Sequence, residues 1–218
     1  TSNGGAVRLE SGTGVELVGC RVFQCLRGIR VQAGAGVRVQ RCVVERTRDS
    51  GIYAAIVSST FVGCSDVLIA ENEVKNAMNN GILMVGGKGM TVRDNHVHGC
   101  FNAGLQSWSA FEIAAESNTF SNCNRFSFNG IGSTGDAKAA ICLDGAGPVD
   151  GMQTADASFA AKLGRNSLDG NGQGSVGTRV GFELSYNAGS AAGASYFTLL
   201  DSNTVRGSDA SVRLSCTG

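Results

Sequence analysis

Two acidic side chains, Asp144 and Glu183, lie in short segments in which apolar and polar residues alternate. Such alternation is typical of β-strands. If the two segments form neighbouring parallel strands and the acids are offset by two residues, their carboxyl groups lie about 8 Å apart. That separation suits an inverting glycosidase, which uses one carboxyl group as general acid and the other as general base. Asp136, Asp150 and Asp156 are alternative acids, and a solvated surface role for each carboxylate is the simpler interpretation.

Four other residues could bind a sugar. Gln106 and Trp108, the single Trp of the chain, alternate on one side of a strand-like segment, and Arg30 and Tyr53 occupy equivalent positions in two other segments. An aromatic ring can stack on the apolar face of a pyranose while polar groups bind its hydroxyls. We therefore predict that Arg30, Tyr53, Gln106 and Trp108 bind the substrate. The alternative is that the outward face of any sheet includes some residues of each type.

The two histidines of the chain, His96 and His98, could ligate a metal, because alternate residues of a strand point the same way. No carboxylate or thiol at a suitable spacing completes a metal site around them. We therefore predict an exposed structural pair, with no metal site in the chain. Nothing in the sequence predicts a cofactor.

These residues are carried by a repeat that positions them. The repeated motif is a Cys or Asn, then any residue, then an aliphatic residue or Phe, and its intervals are 22, 30, 23, 23, 48 and 37 residues. A base period near 23 residues with insertions is typical of a solenoid. The copies begin at Cys20, Cys42, Asn72, Asn95, Asn118, Asn166 and Asn203.

Each repeat predicts three short strands and three turns. The apolar residues alternate over four or five positions, and each run is closed by Gly, Asn, Asp or Ser, which favour tight turns. Between Asn118 and Asn166 two segments, 126–128 and 140–144, are candidates for the first strand of a coil. The predicted first strands are 29–32, 52–55, 82–85, 105–108, 141–144, 182–185 and 212–215.

A three-strand coil with Asn at the turn between the second and third strands resembles the pectin-lyase-like superfamily of right-handed parallel β-helices. That superfamily includes pectate lyases, polygalacturonases, alginate epimerases and lyases, and phage tailspikes. The resemblance covers residues 6–215 and implies an all-β solenoid of about seven rungs with an internal Asn/Cys ladder. It also implies a substrate groove along the outer face of the first strands, bordered by insertions at 145–158 and 186–195.

No sub-family of this superfamily is identified. The paired aspartates and His-Gly of polygalacturonases are missing, as are the Asp-Pro-His cluster of mannuronan epimerases and the Asp-rich calcium site of pectate lyases. The resemblance therefore predicts the fold much more specifically than the reaction.

The composition of the chain excludes some classes of binding partner. The chain has 18 basic and 18 acidic residues and no basic run, which argues against nucleic acid and against an anionic membrane surface. No apolar stretch is long enough to span a membrane, and no signal peptide is recognisable. We expect residues 1–218 to form a single β-helix domain that is a segment of a longer chain, or whose ends are covered by partners.

The eight cysteines do not resemble a disulfide scaffold, because five of them occupy repeat positions that Asn, Thr, Ala or Ser fill elsewhere. We expect mostly free, buried thiols and folding in a reducing cytoplasm. One bridge between Cys100 and Cys123 is geometrically feasible, since neighbouring rungs bring them together.

The favoured function is binding and cleavage of a polysaccharide, as a glycosidase or a lyase. One version of this hypothesis is a segment of a phage tailspike, which implies a homotrimer and a location on the virion surface or outside the cell. The competing hypothesis is a non-catalytic structural or adhesive β-helix, in which the same faces only pack or bind.

Overall fold

The computed structural model describes residues 5–55, 62–108, 110, 112–123, 139–145, 158–170, 180–187, 195–208 and 210–217. These residues form short β-strands joined by turns, and none of them is helical. No helix of the described part is therefore long and apolar enough to cross a membrane. The strands, in chain order, are β1 (Gly5–Glu10), β2 (Glu16–Val18), β3 (Arg21–Phe23), β4 (Arg27–Gln32), β5 (Arg38–Gln40), β6 (Val43–Glu45), β7 (Ile52–Ala55), β8 (Leu68–Ala70), β9 (Glu73–Lys75), β10 (Ile82–Val85), β11 (Thr91–Arg93), β12 (His96–His98), β13 (Leu105–Trp108), β14 (Ile113–Glu116), β15 (Thr119–Ser121), β16 (Ala139–Gly145), β17 (Ser158–Gly164), β18 (Ser167–Asp169), β19 (Val180–Asn187), β20 (Ser195–Asp201), β21 (Thr204–Arg206) and β22 (Ala210–Thr217).

Three parallel sheets run the length of the stack. Each strand pairs with the strand three positions later in the chain. The first sheet therefore has the order β1-β4-β7-β10-β13-β16-β19-β22. The second sheet is β2-β5-β8-β11-β14-β17-β20, and the third is β3-β6-β9-β12-β15-β18-β21. Each coil thus contributes one strand to each sheet, which confirms the predicted right-handed parallel β-helix of about seven rungs.

The predicted first strands are confirmed, including the one whose position was ambiguous. In the long interval after Asn118 the first-sheet strand is β16, which pairs with β13 on one side and β19 on the other. The competing segment, 126–128, lies outside the described residues. The strand register therefore continues across the long interval.

The predicted Asn ladder is present at the turn between the second and third strands. The Oδ1 atom of Asn95 accepts hydrogen bonds from the backbone N and the Nδ2 of Asn72, both at 3.0 Å. The same pair of bonds joins Asn95 to Asn118, Asn118 to Asn166 and Asn166 to Asn203. At the other end, the Asn72 side chain accepts from the backbone N of Cys42 at 2.9 Å, where Cys replaces Asn.

The residue before each ladder position has a left-handed backbone conformation. Glu71, Asp94 and Ser117 have φ angles of 57°, 55° and 56°, a region that costs a non-Gly residue on the order of 1 kcal/mol. The ladder compensates this strain, because each amide also bonds to a carbonyl of the preceding coil. The Nδ2 of Asn95, for example, donates to Ile69 O at 2.9 Å.

The interior is a continuous apolar column. Inward residues of the first sheet stack on one another, and the third sheet supplies a parallel column of Val, Phe and Leu side chains. Burial of this column is the main favourable contribution to folding. The fully buried members of the two columns include Ile29, Ile52, Ile82, Leu105 and Ile141, and Val44, Val74, Val97, Phe120 and Leu168.

The thiols of the described residues are free, as predicted, and most are buried. Cys100 and Cys123 lie in contact inside the stack, and the hydrogen bond between their side chains, together with burial, favours the protonated thiol and raises the pKa of Cys100 well above its usual value. Both thiols behave as small apolar side chains that fill an inward turn.

We predict that Asn95→Ala lowers the free energy of unfolding by about 3 kcal/mol, because it leaves two buried donors of Asn72 without their acceptor. Denaturant titration followed by circular dichroism measures this loss. Thr119→Ala, which changes an exposed residue of β15 beside the ladder, is the control and should change stability by less than about 0.5 kcal/mol. Equal losses in both variants would show that the ladder is not a stabilising network.

Candidate functional site

The outward side of the first sheet carries most of the predicted site residues. We call it the first-sheet face and define it by the two rows of strand positions that alternate with the buried core residues. Strand pairing aligns one row across the coils as Arg8, Arg30, Tyr53, Leu83, Gln106, Cys142 and Glu183. The second row, two residues further along each strand, is Glu10, Gln32, Ala55, Val85, Trp108, Asp144 and Ser185.

Several polar residues of the first-sheet face are shielded from solvent, although the face points away from the core. Arg30 is 6% exposed, Gln106 is 2% exposed and Glu183 is 9% exposed. Outward side chains of the other two sheets, such as Thr91 and Thr119, are half-buried or exposed. Because polar residues are rarely buried without a reason, this face is the candidate functional site.

Two unpartnered polar atoms lie on this face. The Oε1 of Gln106 and the Nε1 of Trp108 are both buried and have no hydrogen-bond partner. The two residues are two positions apart on β13, so their side chains leave the strand on the same side. A buried acceptor and a buried donor side by side match a ligand that carries hydroxyl groups, since a hydroxyl both donates and accepts.

Three arginines lie at one end of the face, where Arg8 pairs with Glu10 and Arg27 pairs with Asp49. Tyr53 is half-buried, and the guanidinium carbons of Arg27 and Arg30 lie 4.9 and 5.7 Å from the centre of its ring. Burial raises the pKa of the Tyr53 hydroxyl, although the two arginines act in the opposite direction. Arg8 lies on the preceding coil, opposite Arg30. This end can therefore stack against a ring and bind an anionic group at the same place.

A second side-chain ladder holds Arg27 in position. Asp49 accepts from Arg27 Nε at 2.5 Å and from Asn79 Nδ2 at 2.9 Å. Asn79 in turn accepts from Asn102 Nδ2 at 3.2 Å. The repeated Cys/Asn motif does not predict this ladder, although the sequence carries a signal for it: Asp49, Asn79 and Asn102 each stand two residues before the Gly that leads into a first-sheet strand.

The ladder also shifts the titration of Asp49. Burial is the largest single influence and disfavours the charged form, but the hydrogen bonds from Arg27 and Asn79 together outweigh it, so the pKa of Asp49 lies below its usual value. Asp49 is therefore a charged anchor for Arg27 rather than a proton donor at neutral pH.

The two proposed catalytic acids lie on adjacent strands of the first sheet. Cys142 pairs with Glu183 and Asp144 pairs with Ser185, so the backbone positions of Asp144 and Glu183 have the two-residue offset expected from the sequence. The Glu183 side chain is described and buried, which differs from a solvated surface role. The side chain of Asp144 lies outside the described residues, as do Asp136, Asp150 and Asp156 and most of the insertions 145–158 and 186–195.

The histidine pair lies on another face of the molecule. His96 and His98 flank the buried Val97 on β12 of the third sheet, as predicted. The sequence spacing showed no carboxylate beside the pair, but strand pairing places Glu73 of β9 opposite His96. Sequence spacing did not reveal it, because Glu73 comes from the preceding coil, 23 residues earlier than His96.

Three parallel sheets closed into a coil, with an Asn ladder in one turn, define the right-handed parallel β-helix of the pectin-lyase-like superfamily. Residues 1–124 match the family described as the right handed beta helix region, and the chain belongs to that family. No curated protein sequence matches the chain.

Solved structures of several enzymes share the fold. The A-module of the mannuronan C-5 epimerase AlgE6 from Azotobacter vinelandii superposes with a TM-score of 0.66 at 12% identity, covering 98% of this chain and 53% of the module. The alginate lyase of Paenibacillus sp. str. FPU-7 gives 0.57 at 12% identity, with 94% and 77% covered, and the pectate lyase Pel9A gives 0.56 at 13%, with 91% and 51% covered. The chain thus spans about half the length of the epimerase module, and these low identities show the fold alone.

We predict that the Asp49 ladder makes stability fall at acid pH. A group whose pKa is lowered by folding stabilises the protein fully above its unfolded pKa, about 3.9, and loses that contribution as the pH falls through the lower folded value. Asp49→Asn should cost about 1–3 kcal/mol at pH 7, and its difference from the unmodified protein should shrink below about pH 4.

Urea unfolding at a series of pH values tests this dependence. Asp169→Asn changes an exposed carboxylate of the third sheet and serves as the control, with an expected effect within about 0.5 kcal/mol at pH 7. A constant difference between Asp49→Asn and the unmodified protein from pH 7 to pH 3 would contradict the assignment.

Proposed function

We propose that the protein binds a polysaccharide along the first-sheet face and cleaves it. The observation that carries this proposal is the buried, unpartnered Oε1 of Gln106 beside the buried, unpartnered Nε1 of Trp108. Leaving such groups unpaired costs about 1–3 kcal/mol each, which a sugar hydroxyl would offset by accepting from the indole and donating to the amide.

The neighbouring side chains suit a chain of sugar residues. Strand pairing places Tyr53 and Gln106 in one row with Leu83 of the coil between them, and Trp108 lies two residues beyond Gln106 on the same strand, so a polymer lying along the stack would meet all three. Each aromatic ring offers a platform for a pyranose face, and the polar groups between them fix its orientation. The enzymes that share the fold include an alginate lyase and a pectate lyase, which agrees with a polysaccharide ligand.

The cationic end favours a sugar that bears a carboxylate. Arg8, Arg27 and Arg30 gather around the Tyr53 end of the face, and a guanidinium binds a carboxylate through paired hydrogen bonds. In a lyase reaction, such a cation would also stabilise the negative charge that develops when the proton at C5 is removed. Binding of an oligouronate should therefore weaken with salt more than binding of a neutral glycan.

For hydrolysis, we propose Asp144 and Glu183 as the acid and base. One carboxyl group protonates the oxygen of the departing sugar while the other takes a proton from the water that attacks the anomeric carbon. Their two-residue offset on adjacent strands corresponds to about 8 Å, which leaves room for that water. Trp108 pairs with Asp144 and Gln106 with Cys142, so the binding residues lie one coil away.

A finer proposal is that the chain is a segment of a phage tailspike that folds in the cytoplasm, trimerises and acts on the virion surface. The free thiols support folding in a reducing compartment. Light scattering of the purified protein tests the trimer.

The competing proposal is a non-catalytic adhesive or structural β-helix, favoured by the missing sub-family motifs. Glycan binding without any cleavage would support it.

We predict that Trp108→Ala weakens glycan binding by about 1–3 kcal/mol, or roughly 5- to 150-fold in Kd, because a stacking platform is lost. Isothermal titration against bacterial capsules, O-antigens, pectin and alginate identifies the ligand and measures the change. Phe23→Ala removes an exposed ring of the third sheet and should leave the affinity unchanged.

A second variant, Gln106→Met, distinguishes an effect on glycan binding from an effect on folding. It should weaken binding while raising the free energy of unfolding by about 1 kcal/mol, because it removes a buried acceptor that has no partner. Unchanged affinity in both Trp108→Ala and Gln106→Met would move the binding site away from this face.

We predict that Glu183→Gln abolishes turnover and leaves glycan affinity within about threefold, because it removes a proton-transfer group and keeps the shape. Reducing-end release and absorbance of unsaturated uronate distinguish hydrolysis from elimination. Glu116→Gln removes a half-buried carboxylate of the second sheet that pairs with Lys162 and Arg165, and it should retain full activity. Wild-type turnover in Glu183→Gln would eliminate this carboxylate from the mechanism.

A further inference from the structure

We propose that Glu73, His96 and His98, on the outer face of the third sheet, form a binding site for a divalent transition-metal ion of the zinc type. This site is separate from the first-sheet face, because its residues belong to β9 and β12 of a different sheet. Two imidazoles and one carboxylate are a common ligand set for Zn²⁺.

The strand geometry aims the three side chains at one point. Val97 is fully buried, so the residues on either side of it project outward. The two imidazole rings lie 4.6 Å apart between centroids, with 27° between their planes. Glu73 pairs with His96 across the strands and reaches His98 as well, with 3.4 Å between Glu73 Oε1 and His98 Nε2.

The distances between donor atoms agree with a single coordinated ion. One ligand atom from each of the three residues can be chosen so that all lie within 4.8 Å of one another. Zn²⁺ with bonds of about 2.0–2.1 Å in a tetrahedral arrangement separates its ligands by about 3.3–3.4 Å. The contact between Glu73 and His98 already has that separation, and small side-chain rotations bring the second imidazole into range.

The donor chemistry selects the class of metal. Imidazole nitrogens suit Zn²⁺, Ni²⁺ and Cu²⁺, whereas Ca²⁺ and Mg²⁺ prefer oxygen ligands. Three protein ligands leave a fourth position for water, or for a donor from a docked molecule. His96 is exposed and the other two are half-buried, so an ion can enter from solvent.

One competing contact must give way to the metal. Lys75 Nζ lies 3.4 Å from Glu73 Oε1, and also 3.6 Å from a carboxylate oxygen of Glu45. When Glu73 turns to the metal, Lys75 keeps Glu45 as its partner, so the exchange leaves no buried charge unpaired. Metal binding would then link β9 to β12 and stabilise two successive coils.

Titration of the full chain with ZnCl₂ in a non-chelating buffer tests the proposal. We expect one ion per chain, and at least about tenfold weaker binding in His98→Ala and in Glu73→Gln. Co²⁺ should give visible absorption bands of a four-coordinate site in the unmodified protein only. Asp169→Asn, which removes an exposed carboxylate of the same sheet, should bind as the unmodified protein does.

Thermal unfolding provides a readout that does not depend on activity. Zn²⁺ should raise the Tm of the unmodified protein, and it should leave the Tm of the doubly substituted His96→Ala, His98→Ala protein unchanged. His98→Gln, which keeps a polar side chain at the position, replaces His98→Ala if that variant folds poorly. Equal affinity in the double variant, or saturation only at millimolar Zn²⁺ as for an adventitious surface ion, would overturn the proposal.

Discussion

The hydrogen bonds of the Asn ladder are the interaction on which the rest of this structure depends. Each amide oxygen accepts two hydrogen bonds from the preceding residue of the ladder, and each amide nitrogen bonds to a carbonyl of a neighbouring coil. These bonds fix the turn between the second and third strands and hold successive coils at the spacing of one strand. They also compensate the left-handed residues, such as Asp94, that tighten the turn. The outward side chains of successive coils are aligned in rows because the ladder fixes the register of the strands.

The first-sheet face uses that alignment differently from the other two sheets. Several of its outward residues are buried although they are polar, and these include Arg30, Gln106 and Glu183. An apolar face would be more stable with two fewer unpaired polar atoms, so their presence indicates selection for something other than folding. The ladder that begins at Asp49 supports the same conclusion, because its hydrogen bonds hold Arg27 beside Tyr53. The buried core and the proposed binding face thus lie on opposite sides of the same strands.

The solenoid also explains how distant parts of the chain form one site. Asn118 and Asn166 are neighbours in the ladder although 48 residues separate them in the chain. Residues on one face can therefore come from any coil, as Glu73 and His96 do on the third sheet. A repeat fold that tolerates long turns can gather a new ligand set while its core stays the same.

The sequence by itself determined the strands, the Asn ladder, the free thiols and the outward direction of Gln106 and Trp108. Those features follow from period-two alternation and from a repeat of about 23 residues, which are local properties of the chain. Only the tertiary structure showed that β16 is the first-sheet strand between Asn118 and Asn166, and that polar residues of the first-sheet face are buried. It also revealed the Asp49 ladder and the proximity of Glu73 to the two histidines. These features depend on which coil lies next to which and on how side chains meet across the coils, and no local pattern encodes those contacts.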